Sequence, residues 1–277
     1  MKAPLRCGSF TFDLARPLVM GVLNVTPDSF SDGGRYFDPA DALDHARRMR
    51  DDGADLIDIG GESTRPGALP VLEHEELERV IPLVETLSAE GAAVAVDTRK
   101  PGVMRAAIAA GAALVNDIGA LTAPGALEAC AAGTAGVCLM HMQGDPQTMQ
   151  DSPGYADVVA EVRDFLVVRA RACEAAGIGR ERIVIDPGFG FGKTLAHNLA
   201  LLRSLGALVT TGYPVLAGLS RKASLGTIVG RPVGERLAAS LAAALAAVQR
   251  GATIVRVHDV RETVDALKVW NAAGLNP

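Results

Sequence analysis

Short apolar runs recur along the chain, separated by longer stretches of mixed character. They fall at residues 19–23, 56–59, 92–96, 112–115, 136–140, 183–185, 215–218 and 252–257. None shows the strict alternation of a half-wetted strand, so each reads as a strand buried on both faces. Amphipathic segments lie between them: residues 41–50, about 73–89, a helix with Pro101 in its first turn, about 155–176, and 261 to about 272. Proline in a first turn costs little, because its missing N–H would have no partner inside the helix. Gly177 suits a left-handed cap at the end of the long helix. The Ala-rich stretch 237–248 reads as packing, and His45 and His74 as solvated helix-face residues. Eight strands, each followed by a helix, predict an α/β fold, a (β/α)8 TIM barrel in one domain over residues 1–277. A doubly wound open sheet is the other arrangement the alternation allows. Residues 6–14, with Gly8-Ser9 in the middle, predict a short β-hairpin ahead of the barrel.

Composition narrows the class of function. The chain has 277 residues, 49% hydrophobic and 21% charged, with a net charge of -5. Mild acidity without a basic run points away from a nucleic-acid partner. Residues 237–248 are too few to span a bilayer, and no stretch resembles a signal peptide, so no membrane role is expected. Cys7, Cys130, Cys138 and Cys173 lack metal-ligand spacing, and such scattered thiols fit a reducing compartment. A cytoplasmic enzyme acting on small molecules is the expectation.

One motif invites a wrong turn. "IDPGFGFGKT", residues 185–194, ends like a phosphate-binding loop, but the first glycine that loop requires falls on Pro187, which has no N–H to give. Gly188, Gly190 and Gly192 do not fit the dinucleotide pattern either. What remains is a buried strand that delivers Asp186 at its tip.

In a barrel the site gathers at such tips. In order they carry Asn24; Asp58 followed by residues 60–67 (GGESTRPG); Asp97-Thr98-Arg99; Asn116-Asp117; His141; Asp186; Ser220-Arg221-Lys222; Arg256; and His258-Asp259. Asp58, inside its strand, reads as a buried hydrogen-bond holder. Asp117 and Asp259 could instead be helix N-caps, and His141 could cap a loop. Asp97, Asn116, Asp186, Lys222 and Arg256 fit such structural roles least well. Asp97 and Asp186 are acceptors suited to adjacent N–H donors on a flat heterocycle; Asn116 donates and accepts; Lys222 donates. A guanidine-like pyrimidone edge matches them. Arg65, Arg256 and His258, with Asn24, form an anion-seeking group, where an amide oxygen can help hold magnesium. Segments 24–36 and 62–69, rich in Gly, Ser, Asp and Pro, are expected to be mobile until a ligand orders them.

These residues sit in motifs that resemble the dihydropteroate synthase family: "GVLNVTPDSFSDGG", "DIGGESTRPG", "VDTRK", "VNDIGAL", "LMHMQGDPQTMQ", "IDPGFGFGKT", "GLSRKASLG" and "IVRVHDV". They run in the family's order from about residue 19 to 270, departing where Ser224-Leu225 replaces a bulkier apolar pair. The resemblance implies a transferase of folate biosynthesis that joins 6-hydroxymethyl-7,8-dihydropterin pyrophosphate to p-aminobenzoate, the target of sulfonamides. It implies pterin binding by Asp97, Asn116, Asp186 and Lys222 with the Gly218 carbonyl nearby. Arg65, Arg256, His258 and Asn24 with Mg²⁺ would take pyrophosphate; Thr64, Pro66, Phe191, Ser220 and Lys222 would frame p-aminobenzoate. Asp97, Lys222 and Arg256 would carry the catalysis, and the chain would form a homodimer. A pterin-barrel methyltransferase, a non-catalytic paralogue and a Schiff-base aldolase barrel using Lys222 are the alternatives.

Overall fold

A computed structural model describes residues 3–26, 39–64 and 67–275. Arg65, Pro66 and most of the segment 24–36 lie outside the described residues, and with them much of the expectation of mobile loops. The chain opens with a hairpin, β1 (Leu5–Cys7) and β2 (Phe10–Phe12), turned at Gly8-Ser9 as expected. Eight parallel strands follow: β3 (Leu18–Asn24), β4 (Leu56–Gly60), β5 (Val94–Asp97), β6 (Leu114–Asp117), β7 (Gly136–Met140), β8 (Ile183–Asp186), β9 (Leu216–Ala217) and β10 (Ile254–Val257). Their order is β8-β7-β6-β5-β4-β3-β10-β9, and a parallel bridge from Ile185 to Val215 brings the ends of the sheet together. That closure rules out the open sheet.

Several strands start two residues later than the apolar runs suggest. Ala92 and Ala93 precede β5, and Ala112 and Ala113 precede β6. These small residues extend the apolar run and still share in the ladder, since Ile57 N–H donates to the Ala93 carbonyl at 3.0 Å.

The helices are α1 (Pro39–Asp51), α2 (Glu73–Ala89), α3 (Pro101–Ala109), α4 (Ala126–Ala131), α5 (Val158–Ala175), α6 (Leu195–Arg203), α7 (Gly206–Val209), α8 (Ala223–Val229), α9 (Leu237–Gln249) and α10 (Val260–Ala272). α5 begins later than predicted because Asp157 caps it, accepting from Val159 and Ala160 N–H. It ends at Gly177, whose φ of +94° needs no Cβ. α9 buries Ala243, Ala244, Ala247 and Val248, the packing role expected of it. His74 is exposed, but His45 is half-buried rather than solvated.

Two shells of apolar side chains lie between strands and helices. A third cluster seals the N-terminal end of the barrel: Leu5, Cys7 and Leu14 from the hairpin segment pack on Leu18, Met20, Leu56, Leu114, Leu216 and Ile254. The approach is close, since a Cβ at Gly136 would stand 2.6 Å from the Cys7 sulfur. All four cysteines are free and buried.

Candidate active site

The opposite end of the barrel holds a partly open cleft lined by side chains from most of the strands. Of the residues singled out in the sequence, it brings together Thr64, Asp97, Asn116, Asp186, Phe191, Gly218, Ser220, Lys222, Arg256 and His258. Ile118, Met140, Gly188 and Phe189 line it too and carry no polar signal that would have marked them. Asn24 stands at the tip of β3, half-buried, next to this group.

The polar floor is built on one inward-pointing carboxylate. Asp58 is fully buried in β4, which keeps it from water and leaves it to its neighbours. Its Oδ2 accepts from Asn116 Nδ2 at 3.0 Å and from Arg256 Nε at 2.5 Å, while Oδ1 has no partner among the described residues. Asp58 is therefore the holder expected of it, orienting two residues of the pocket. Arg256 also donates through Nη2 to Asp97 Oδ2 at 2.9 Å. Burial works against the charge of Arg256, but Asp58 and Asp97 outweigh it and raise the guanidinium above its usual value. Two of its five N–H groups are thus committed to carboxylates, and the other three keep their capacity to donate to a ligand.

Burial pushes Asp97 up to about 7; Arg256 opposes that rise and Asp58 reinforces it. Asp186 is pushed up to about 6 by burial, with the Gly188 N–H opposing. One oxygen of Asp186 accepts that N–H at 2.7 Å, which directs the carboxylate at the tip of β8. Lys222 is lowered to about 8, first by burial and then by Arg256, and its Nζ lies 4.2 Å from the centre of the Phe191 ring. A cation over a ring face is attracted by the ring quadrupole. Lys222 follows Arg221, whose φ of +58° is unusual for a side chain that has a Cβ. That conformation is held from several directions. The Arg221 guanidinium pairs with Asp259, its N–H donates to Ser240 Oγ at 3.0 Å, and its carbonyl accepts Arg236 Nη1 at 3.0 Å. Strained residues that are pinned in this way gather at functional sites.

Two expectations, the N-cap readings of Asp259 and Asp117, need correction. His258, expected in the anion-seeking group, is lowered to about 4 by burial and by Arg256, so without ligand it is a neutral imidazole that would meet an anion through an N–H rather than a full charge. Its Nδ1 is 3.0 Å from Ser220 Oγ. Asp259 stands at the N-cap position of α10 but does not cap with its side chain, being occupied by Arg221. Asp117 caps no helix; it accepts from Gly119 and Leu121 N–H, both at 2.7 Å, and shapes the turn after β6. His141 is buried, and its ring meets Lys193 at 3.0 Å, which makes it part of the loop scaffold.

The segment that resembles a phosphate loop folds otherwise. Gly192 has φ +60° and its carbonyl accepts the Tyr155 hydroxyl at 2.8 Å, while Thr194 caps α6 by accepting His197 N–H at 3.2 Å.

Comparison with known proteins points the same way. The family described as pterin binding enzyme matches residues 20–258. The dihydropteroate synthase of Escherichia coli K12 is 51% identical over 263 residues, 95% of this chain and 93% of the relative. The Burkholderia cenocepacia dihydropteroate synthase, solved with 7,8-dihydropteroate, is 56% identical with a TM-score of 0.90, over 99% of this chain and 97% of that one. The Xanthomonas albilineans dihydropteroate synthase, solved with 4-aminobenzoic acid, is 54% identical with a TM-score of 0.93 and matches over the full length of both chains. Likeness of sequence and fold on this scale places the chain in the dihydropteroate synthase family of pterin-binding enzymes.

Proposed function

We propose that the cleft joins 6-hydroxymethyl-7,8-dihydropterin pyrophosphate to p-aminobenzoate, giving 7,8-dihydropteroate and pyrophosphate. The observation that carries this reading is the pairing of an acceptor floor (buried Asn116 and Asp186 with half-buried Asp97) with a cationic wall (Lys222, Arg256) inside one cleft. A pterin edge that presents adjacent N–H groups satisfies the two carboxylates, and Asn116 and Lys222 supply the matching donors. The amine of p-aminobenzoate is unprotonated near neutrality and needs no dedicated base. The difficult event is breaking the bond between the pterin methylene and the pyrophosphate oxygen. Both electrons of that bond leave with pyrophosphate, the amine nitrogen forms the new bond to the methylene, and one amine proton is shed. The free edge of Arg256 stabilises the departing charge, and Asp97 stabilises the positive charge that develops on the pterin. Arg65, outside the described residues, would add a second guanidinium; Thr64, Phe191 and Ser220, with Pro66, would frame the arylamine, and Lys222 holds ligand rather than bonding to it.

Magnesium fits the residues present. A Cβ at Gly60 would stand 3.5 Å from Asn24 Oδ1 and 3.9 Å from Asp97 Oδ2, so the glycine leaves a recess between two oxygens. A magnesium ion held largely by substrate phosphates asks for only one or two protein oxygens, and when bound it neutralises phosphate charge. Asn24 would be one of those ligands.

A homodimer agrees with the exposed apolar residues Ile228, Val229, Val233 and Leu237, which lie close together in sequence at the end of α8 and the start of α9. A cytoplasmic setting agrees with the four reduced, buried thiols. Among the described residues no helix is long and apolar enough to cross a membrane.

The test is pyrophosphate release. It is expected only when pterin pyrophosphate and p-aminobenzoate are both present, and to be inhibited by a sulfonamide that mimics the arylamine. Release without the arylamine, or a Lys222 adduct trapped by borohydride, would overturn the reading.

A further inference from the structure

Lys193 is only 3% exposed, and among the described residues its hydrogen bonds go to no carboxylate, although the charge of Asp186 reaches it through space. Its ammonium makes three contacts with neutral groups. It donates to the Phe191 carbonyl at 2.9 Å and the His141 carbonyl at 3.2 Å, and it lies 3.0 Å from His141 Nδ1. Burial and Lys193 lower the His141 ring to about 3, so the imidazole is neutral and Nδ1 accepts from the ammonium. Burial brings Lys193 down to about 7, with the charge of Asp186 opposing, so burying it is costly, and an apolar side chain of similar length would fill the space at less cost. The contacts show what the charge is used for.

Phe191 stands in a turn that has little regular structure of its own. Gly188, Gly190 and Gly192 all have positive φ, and within the turn Phe191 N–H donates to the Gly188 carbonyl at 3.1 Å. The turn is tied down from outside. Gly190 N–H donates to Asn198 Oδ1 at 2.7 Å, Gln150 donates to the Gly190 carbonyl, and Tyr155 donates to the Gly192 carbonyl. Lys193 holds the one carbonyl that belongs to Phe191 itself, and it anchors that carbonyl to the loop after β7. The Phe191 ring in turn lies against the Lys222 ammonium on the wall of the cleft.

We propose that Lys193 is a positioning residue for the arylamine substrate, fixing the Phe191 peptide between the loops after β7 and β8 and thereby setting the ring that the arylamine packs against. The inference rests on the function proposed above and adds to it a residue that never touches the ligand. It acts unequally on the two substrates: it holds the Phe191 peptide by a direct hydrogen bond, whereas the pterin floor, fixed through Asp58 and the Gly188 N–H, feels Lys193 only through its charge acting on Asp186.

The experiment is a double-mutant cycle on the full chain with Lys193→Met, Phe191→Leu and the double variant. For each, KM for p-aminobenzoate, kcat and the calorimetric Kd for the pterin would be measured. Lys193→Met is expected to raise KM for p-aminobenzoate by about tenfold or more, with kcat within about threefold and the pterin Kd, reached only through the charge on Asp186, changed by clearly less than KM. In the Phe191→Leu background the same change is expected to add less than about twofold, because the residue it acts through is gone. If Lys193→Met does not fold, Lys193→Gln, which keeps two donors, is expected to give a smaller shift in the same direction. Additive effects in the cycle, equal losses for both substrates, or an unchanged KM would overturn the proposal. Activity of the wild type that depends on both substrates separates these failures from failure of the proposed function; an inactive wild type would overturn both.

Discussion

At the level of single residues, the carboxylates at the strand tips make the sharpest predictions. Asp186 spends one oxygen on the Gly188 N–H, so its second oxygen is the one left for a ligand. Asp186→Asn can keep the first contact, but it then presents an amide N–H to a ring N–H. Pterin affinity is expected to fall by about 1–3 kcal/mol or more, and calorimetry giving near-normal affinity would contradict the assignment. Protonation gives a second test. Asp97 is raised to about 7 and Asp186 to about 6, from an ordinary 3.8. Between the ordinary and the raised values the folded protein binds more protons than the unfolded chain. These two groups therefore contribute less to stability as pH rises through that window. A ligand that donates N–H groups selects the ionised carboxylates. Pterin affinity is expected to increase from about pH 5 to about pH 8, with protons released on binding near pH 6. Heats of binding at that pH that do not depend on the ionisation enthalpy of the buffer would refute this. Asp97, Asn116, Asp186, Lys222 and Arg256 were legible because a polar group that ends an apolar run is an anomaly asking for a reason. Ile118, Met140 and Phe189 were not, since an apolar residue beside a strand end looks the same whether it lines a cleft or fills a core. The charge of His258 was illegible for another reason: burial and Arg256 set it, and both come from the tertiary structure.

Among elements, the turns after the strands carry the constraint. Gly188 has φ +66°, and a Cβ there would come within 2.0 Å of the His141 carbonyl oxygen. Backbone strain and overlap act together, so Gly188→Ala is expected to cost about 2 kcal/mol or more and to abolish activity. Denaturant unfolding and the pyrophosphate assay would each register it. The loop after β4 is anchored by charge instead. Lys100 bridges Glu62 and Glu76; Glu76 is 1% exposed, and its Oε1 has no partner among the described residues. Lys100→Met leaves that carboxylate buried and uncompensated, a loss of about 3–5 kcal/mol. Adding Glu76→Gln is expected to recover part of it, and a melting midpoint unchanged in the single variant would sink the idea. The long helices were legible because amphipathic period needs several turns to register. α4, with six residues, and α7, with four, are too short to show one.

For the molecule as a whole, the apolar residues Ile228, Val229, Val233 and Leu237 ask for a partner surface. Sedimentation is expected to give about twice the 28.7 kDa chain mass for the wild type, and close to one chain mass for Ile228→Asp, since a charge in an apolar interface must be desolvated. A wild type that sediments as one chain would remove the basis for the dimer. The barrel itself was legible because its strands, buried on both faces, form uninterrupted apolar runs. How the sheet closes, through Ile185 and Val215 next to a β9 of two residues, was not, because so short a strand carries almost no pattern.

The hairpin plug at the base of the barrel has a consequence for traffic. With Leu5, Cys7 and Leu14 filling one end of the barrel, the cleft is approached, among the described residues, from the opposite end. Asn116 and Asp186, each 5% exposed, lie deep in the room, while Thr64 and Phe191 stand nearer its threshold. An arylamine that arrived first would stand in the doorway and shut the pterin out. The floor plan therefore predicts that the pterin goes in ahead and the arylamine follows, and an arylamine that binds the free protein as tightly as it binds the pterin complex would contradict it.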